Sequence, residues 1–161
     1  MRYWSLTVVF LVVGCNADRL AKLEAQNEEL KAQLKQQQTA ANLDLQGKCA
    51  KQAGEAFKVQ GYEKEQYANY TNHYNAKLNK CFIKIESMDT KTAKGTFFTN
   101  KVVMDAFEGK GYAEYMWMSD KVKKYWDVPP KLCKVTVPSG EEKVCKSSEE
   151  FDELLKPYME Q

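Results

Sequence analysis

Two cysteines on either side of a tight turn constrain the fold more than any other feature of the sequence. The stretches 131–137 and 141–145 are joined by Pro-Ser-Gly, and Gly140 ends that loop. Proline and glycine at these positions favour a three-residue hairpin loop, in which a type I turn is followed by a left-handed glycine. Pairing the residues that flank the loop puts Cys133 opposite Cys145, with Cα atoms about 5.5 Å apart, which is within disulfide range.

The first fifteen residues indicate that the protein is exported. Arg2 is the only charged residue among the first seventeen, and residues 5–13 are almost wholly apolar. A short basic region followed by a short apolar region is the layout of a secretory signal. The apolar run is shorter than the roughly 20 residues that span a bilayer. Residues 12–15, Val-Val-Gly-Cys, resemble the lipobox of bacterial lipoproteins, although valine replaces the usual leucine at its first position.

The resemblance to lipoproteins implies a membrane anchor. It predicts that residues 1–14 are removed, that a diacylglycerol is joined to the sulfur of Cys15, and that a fatty acid such as palmitate acylates the new amino group. Two or three acyl chains hold a protein firmly, at about 0.8 kcal/mol per buried methylene. The next residue is Asn16 rather than Asp, which by the sorting rule of this class favours the outer membrane, facing the periplasm. An ordinary secretory signal with a chance cysteine is the alternative.

Four cysteines remain once Cys15 carries lipid. An even number in an exported chain predicts two disulfides, for which three connectivities exist. The hairpin selects one of them: if Cys133 bonds to Cys145, then Cys49 bonds to Cys81. The chain has no Cys-x-x-Cys pair, which argues against a zinc site and against thioredoxin-like redox chemistry.

Residues 17–38 predict a helical tether, because they lack Gly and Pro and are rich in strong helix formers. Their apolar residues recur in a heptad pattern with one asparagine at an a position, a device that fixes register in parallel coiled coils. The segment resembles a short leucine zipper and the coiled-coil stalks of some envelope lipoproteins. A homo-oligomer through this segment is one hypothesis, and a solvated spacer is the other. The predicted seam consists of Leu20, Leu23, Asn27, Leu30 and Leu34. Residues 36–42 blur the heptad and predict a hinge or a frayed continuation of the helix.

Two further helices are predicted at the ends of the domain that follows. The first runs to about Gln60 with apolar residues on one face and is closed by Gly61. The second begins with the capping-box pattern Ser-Ser-Glu-Glu at residues 147–150. Its apolar side is expected to cover a sheet, because apolar residues recur at i, i+3, i+4 and i+7. These residues are Phe151, Leu154, Leu155 and Tyr158.

Strands are predicted between these helices. Residues 62–79 are polar and rich in tyrosine without a clear period, which favours a loop. Alternation predicts a half-buried strand at 81–86. Further strands are expected near 96–104 and 112–118, followed by the hairpin. The predicted fold class is α+β: an N-terminal signal and coiled-coil helix, then a small antiparallel sheet of three to five strands, flanked by helices and stabilised by disulfides.

The chain is thus predicted to have three parts: a cleaved signal peptide at 1–14, a lipidated tether at 15–42 and a globular domain at 43–161. Two stretches of the domain resemble a group of small uncharacterised bacterial proteins. They are residues 70–82 and the Asp-Ala-Phe-Glu-Gly run at 105–109. The resemblance covers most of the domain and implies no activity.

Residue patterns typical of catalysis do not occur in the sequence. It contains no Gly-rich phosphate loop, no nucleophile elbow and no His-x-x-His spacing. The single histidine, His73, lies between tyrosines in a polar segment, where a surface or packing role is expected. We therefore predict that the protein is not an enzyme and that it uses no cofactor and no metal.

The aromatic residues are the feature with binding potential, and core packing is their alternative role. The candidate binding aromatics are Tyr70, Tyr74, Trp117 and Trp126. The 24 basic and 22 acidic side chains leave little net charge, which argues against nucleic acid as a partner. The favoured function is that of a membrane-anchored envelope lipoprotein that interacts with a protein or a cell-wall component. A lysozyme-type hydrolase inhibitor, suggested by size, lipid and disulfides, and an enzyme are the alternatives.

Overall fold

The computed structural model describes residues 5–89 and 96–160, with side chains from Asp18 onward. The chain divides between Leu43 and Asp44 into two compact units. Within the described residues, the α-helices are α1 (Ser5–Val59) and α2 (Ser148–Met159). The strands are β1 (Ala68–Asn75), β2 (Lys80–Asp89), β3 (Phe98–Asp105), β4 (Gly111–Met118), β5 (Leu132–Thr136) and β6 (Glu142–Val144).

Helix α1 runs without interruption through residues 36–42, where the blurred heptad predicts a hinge or a frayed helix. The absence of Gly and Pro from residue 17 to residue 46 accounts for this continuity. The four leucines of the predicted coiled-coil seam are more than half exposed in the single chain. The predicted lipidation site, Cys15, and the predicted signal peptide at 1–14 lie outside the residues whose side chains are described. No helix in the described part of the chain has the length and hydropathy that a membrane span requires.

The strands form one antiparallel sheet in the order in which they occur along the chain. The prediction of a loop over residues 62–79 is wrong, because β1 occupies Ala68–Asn75 and pairs with β2 in an unbroken register. Strand β1 lies at the edge of the sheet, where polar side chains are tolerated, and these polar residues obscure its alternation. With β1 included, the sheet has six strands, one more than the largest number predicted.

Both faces of β2 are packed against other elements, so the prediction of a half-buried strand at 81–86 is corrected. One face, here called the α1 face, packs against α1 through Ile83 and Ile85 of β2 and Ala53 of the helix. The opposite face, here called the α2 face, packs against α2 through Phe82 and Phe151. Alternation along β2 therefore separates two apolar cores rather than a core and solvent.

The two disulfides join the pairs that the hairpin argument predicts. Cys49 of α1 bonds to Cys81 of β2, with Cα atoms 5.3 Å apart. Cys133 of β5 bonds to Cys145, with Cα atoms 5.0 Å apart. The hairpin register is also as predicted, since the N–H of Cys145 donates to the carbonyl of Cys133 over 3.0 Å. Gly140 has the left-handed φ of 87° that a three-residue loop of this type requires.

Helix α2 begins at the predicted cap. The hydroxyl of Ser147 accepts a hydrogen bond from the N–H of Glu150 over 3.2 Å. The carboxylate of Glu150 accepts from the N–H of Lys146 over 2.7 Å, one residue before the position it takes in a standard capping box. Of the four residues predicted to face the sheet, Leu154 is half-buried and the other three are fully buried.

Asn75 fastens the first strand of the sheet to the end of the last helix. Its side chain is fully buried. The amide nitrogen donates to the carbonyls of Pro157 over 2.8 Å and Tyr158 over 3.4 Å, and the amide oxygen accepts from the N–H of Leu78 over 2.9 Å. A buried polar group is tolerated when its hydrogen bonds are made, so Asn75 is a structural link between β1 and α2.

Candidate binding surface

The four aromatic residues predicted to bind a partner do not form one site. Tyr70 and Tyr74 lie on β1 on the α1 face, whereas Trp117 lies on β4 on the α2 face. Trp126 lies between β4 and β5, in the one-turn 3-10 helix Tyr125–Asp127. The structure therefore brings the two tryptophans together in one cleft and separates them from the two tyrosines.

Tyr70 and Tyr74 make packing contacts. The ring of Tyr70 lies 4.8 Å from the ring of Phe57 of α1, measured between centroids. The hydroxyl of Tyr74 donates to the side-chain oxygen of Asn79 over 2.7 Å. These contacts hold the end of α1 against β1 and brace the turn between β1 and β2, which gives both tyrosines a structural role.

Trp117 positions the segment that carries Trp126. Its side chain is only 4 % exposed, and its indole N–H donates to the carbonyl of Val128 over 2.9 Å. The ring of Tyr125 lies 4.8 Å from the ring of Trp117, and the ring of Phe97 lies 5.6 Å from it. Because buried indole groups require a hydrogen-bond partner, the bond to Val128 fixes the returning chain over β4.

An open cleft of about 400 Å³ lies between this segment and the beginning of α2. We call it the aromatic cleft. Two rigid prolines and the first residues of α2 form its sides, and Trp117 lies at its base. Its aromatic and proline lining consists of Tyr115, Trp117, Tyr125, Trp126, Pro129 and Pro130. Residues 146–149 supply the polar groups of the opposite wall.

Residues 121–126, here called the rim, lead into the aromatic cleft and expose large apolar side chains. Val122 is 92 % exposed, Tyr125 is 57 % exposed and Trp126 is 74 % exposed. The ammonium group of Lys124 lies 5.4 Å from the centroid of the Trp126 ring, a cation–π distance. Large apolar residues clustered in one exposed segment differ from single exposed residues, because a cluster of this kind marks an interaction site.

The conformation of the rim is fixed by Asp120. Its carboxylate accepts hydrogen bonds from the N–H groups of Val122 over 2.8 Å and Lys123 over 3.1 Å. These two bonds lower the pKa of Asp120 below its usual value. The carboxylate therefore stays ionised at neutral pH and holds the turn that presents Val122.

The charge of this segment is basic. Residues 119–131 contain four lysines and two aspartates, and one of the aspartates, Asp120, is engaged in the turn. The lysines are Lys121, Lys123, Lys124 and Lys131. The rim therefore combines exposed apolar groups with positive charge.

Pro129 and Pro130 line the aromatic cleft, Val122 lies on the rim and Phe97 packs on Trp117, yet none of the four is in the predicted binding set. The sequence does point to Val122 and the prolines, since residues 121–130 run from lysine-rich through aromatic to Pro-Pro. The sequence does not indicate that Phe97 packs on Trp117, because that contact depends on β3 lying beside β4 in the sheet.

A second open cavity, of about 430 Å³, lies where α1 ends and the sheet continues beyond it. Aromatic rings and a thioether line it together with a nearly buried hydroxyl, that of Ser87. Its apolar lining consists of Tyr62, Tyr67, Met88 and Phe98. This cavity is more polar than the aromatic cleft and lies on another part of the sheet.

The buried charges of the domain have structural partners. Burial alone would raise the pKa of Asp105, but its hydrogen bonds outweigh burial and lower that pKa. The carboxylate accepts from Lys80 over 2.7 Å and from the N–H groups of Phe107 over 2.9 Å and Glu108 over 3.2 Å. The Asp-Ala-Phe-Glu-Gly run at 105–109 is thus a turn built around one buried carboxylate.

A second ion cluster lies under the start of α2. The ammonium group of Lys101 donates to the carboxylate of Asp152 over 2.7 Å and to the hydroxyl of Ser148 over 2.8 Å. Nearby, burial raises the pKa of Tyr115 to about 12, with smaller contributions from Tyr125 and from acidic neighbours. These groups hold α2 on the sheet beside the aromatic cleft.

His73 lies on β1 rather than in a loop, half-buried and opposite Phe82. In the described part of the chain, His, Cys, Asp and Glu side chains do not come together in any group of three or more that could hold a metal ion. Comparison of the chain with protein-family models, with curated proteins and with solved structures found no match.

Proposed function

We propose that this chain is a lipid-anchored protein of the bacterial envelope whose domain binds a protein or cell-wall partner through the aromatic cleft. The observation that carries the binding role is the rim, where Val122, Tyr125 and Trp126 are more than half exposed within five residues. Tryptophan and tyrosine are over-represented among residues that dominate binding energy. The lysines beside them suit a partner that presents apolar surface together with negative charge.

The scaffold supports binding with little rearrangement. The base of the cleft, Trp117, is part of a sheet strand. The opposite wall, residues 146–149, directly follows Cys145, which is bonded to Cys133 of β5. Surfaces that are fixed before binding lose less conformational entropy on association.

The anchored state is supported by two features of the chain. The Val-Val-Gly-Cys run at residues 12–15 supplies the lipidation motif. The two disulfides suit an oxidising compartment such as the bacterial periplasm. In this proposal lipid on Cys15 holds the protein at the outer membrane, facing the periplasm, and residues 17–38 act as tether and as a homo-oligomer seam.

Photo-crosslinking in intact envelopes tests the binding role. A photoreactive residue is placed at position 122 on the rim and, as a matched control, at position 59, where Val59 is 83 % exposed at the end of α1 and does not line the aromatic cleft. We expect a specific adduct from position 122 that is absent from position 59. The adduct should fall at least tenfold when Trp126→Ala is added, because the ring supplies the exposed contact area. Equal adducts from both positions, or no effect of Trp126→Ala, would refute the proposal.

The intact mass of the membrane-extracted protein tests the anchor. A chain that starts at Cys15 and carries acyl mass is expected, and Cys15→Ala should abolish that mass. A chain that starts elsewhere without lipid would overturn the anchored state and leave the binding proposal to be judged by crosslinking alone.

A further inference from the structure

The two edges of the sheet differ in how they are protected against pairing. The edge strand β6 is three residues long and includes Glu142 and Lys143. The edge strand β1 is eight residues long and pairs with β2 in an unbroken register. It contains no proline and no Lys, Arg, Asp or Glu between residues 68 and 75. Short length, charge, proline and bulges are the usual protections of an edge, and β1 has none of them.

The backbone groups that β1 turns away from β2 can be identified from the ladder. The carbonyl of Tyr67 accepts from the N–H of Met88, so odd-numbered residues of this strand point their backbone groups toward β2. Even-numbered residues point theirs outward. The outward backbone groups of Tyr70, Asn72 and Tyr74 are therefore not used in the ladder with β2.

We infer that β1 is a self-association edge, which pairs antiparallel with β1 of a second copy of this chain. The register that uses all three outward residues places a two-fold axis at Asn72. In that register Tyr70 of one copy lies opposite Tyr74 of the other, and the two copies exchange about six backbone hydrogen bonds. Aromatic residues directly opposite each other on one face are favourable cross-strand pairs.

The charges on β1 are compatible with a second copy. Residues 68–75 contain no Lys, Arg, Asp or Glu, so two copies of β1 pair without placing like charges opposite each other. The row of outward backbone groups is self-complementary about Asn72, because each residue there offers one donor and one acceptor. A second copy is therefore the occupant that matches this edge in hydrogen bonds and in charge.

The axis of this pairing is perpendicular to the sheet. The 44–59 portions of α1 in the two copies therefore lie on the same face and run in opposite directions.

Native mass spectrometry of the membrane-extracted chain tests this inference, with Asn72→Asp and Asn72→Lys as variants. Each variant places like charges opposite each other at the two-fold axis. The mean number of chains per particle should fall at least twofold in either variant alone. It should return to the wild-type value when the two variants are mixed, because Asp then faces Lys. Val144→Asp adds the same charge to β6 and is expected to change nothing.

Thermal unfolding of each variant separates loss of association from loss of fold. This control is needed because the side chain of Asn72 is half-buried and its amide nitrogen donates to the sulfur of Cys49 over 3.8 Å. Unchanged stoichiometry in both single variants, or failure of the mixture to restore it while both variants remain folded, overturns the inference. A fall caused equally by Val144→Asp would also overturn it.

Discussion

Removal of the Cys49–Cys81 disulfide should release the domain portion of α1 from the sheet. This bond links α1 to β2. In the described part of α1, Cys49 and Ala53 are the residues that are fully buried. By contrast, α2 buries Phe151, Leu155 and Tyr158 completely. The attachment of α1 therefore depends on its disulfide more than the attachment of α2 depends on the neighbouring one.

The loss of unfolding free energy expected from removing each disulfide follows from the length of the loop that the bond closes. The bonded cysteines are 32 residues apart in one case and 12 in the other. The loop-closure entropy of the unfolded chain then gives about 3.7 kcal/mol for Cys49–Cys81 and about 2.8 kcal/mol for Cys133–Cys145 at 25 °C. Replacing each pair with alanines removes the same number of sulfur atoms, so the two double variants are matched controls for each other.

Urea unfolding and amide hydrogen exchange measure the two consequences. The C49A/C81A variant should lose about 4 kcal/mol of unfolding free energy, and the C133A/C145A variant about 3 kcal/mol. Amides of residues 44–59 should lose protection in C49A/C81A while those of α2 keep it. The reasoning is refuted if residues 44–59 stay protected in C49A/C81A, or if C133A/C145A is clearly the less stable variant.

Three further predictions concern the domain. Asn75→Ala should lower the unfolding free energy by about 1–3 kcal/mol, because it leaves the carbonyls at the end of α2 unpaired. Asn69 is exposed on the same strand, so Asn69→Ala should change the unfolding free energy measured in urea by less than about 0.5 kcal/mol. Equal effects of the two substitutions would contradict the role of Asn75. Burial raises the pKa of Tyr115 to about 12 and that of Tyr158 to about 12. The contribution of these two buried, neutral tyrosines to the free energy of unfolding is therefore complete below pH 10 and should be lost as pH rises from 10 to 12. Alkaline unfolding of Tyr115→Phe should depend less on pH in that interval, and an unchanged slope would reject this account. Gly140→Ala should cost about 1 kcal/mol or more in urea unfolding, since φ is 87° there, and no loss would show that the loop adopts another geometry.

Local chemistry made the hairpin and α2 predictable from the sequence. Pro-Ser-Gly determines the loop type, the loop determines the register, and the register sets Cys133 opposite Cys145. Ser147 and the apolar spacing after it similarly determine where α2 begins and which side it buries. These features depend on residues that are near one another in the chain.

The missed features depend on residues that are distant in the chain. Strand β1 is polar because it lies at an edge, and its alternation appears only once the α1 face and the α2 face are known. Phe82 resembles a solvent-side residue of a half-buried strand until α2, some seventy residues later, is seen to cover it. Amphipathic pattern alone does not distinguish a covered second face from an exposed one.

The same limit applies to the candidate binding aromatics. Composition identifies tyrosine and tryptophan as an excess, but strand parity decides that Tyr70 and Tyr74 face α1 while Trp117 faces α2. The exposure of Trp126 arises because Trp117 holds the returning chain through Val128. A hydrogen bond between residues eleven apart in a connecting segment has no periodic signature in the sequence.

The bond between Asn75 and the end of α2 has a consequence for the order in which the domain matures. If the chain crosses a membrane from its N-terminus, β1 emerges long before the carbonyls of Pro157 and Tyr158 that satisfy its buried amide. The amide nitrogen of Asn75 therefore finds its acceptors only when nearly the last residue has been translocated. A chain stalled or clipped before residue 157 would leave this amide without them, and a protease that detects local opening at β1 could distinguish such a chain from the finished domain.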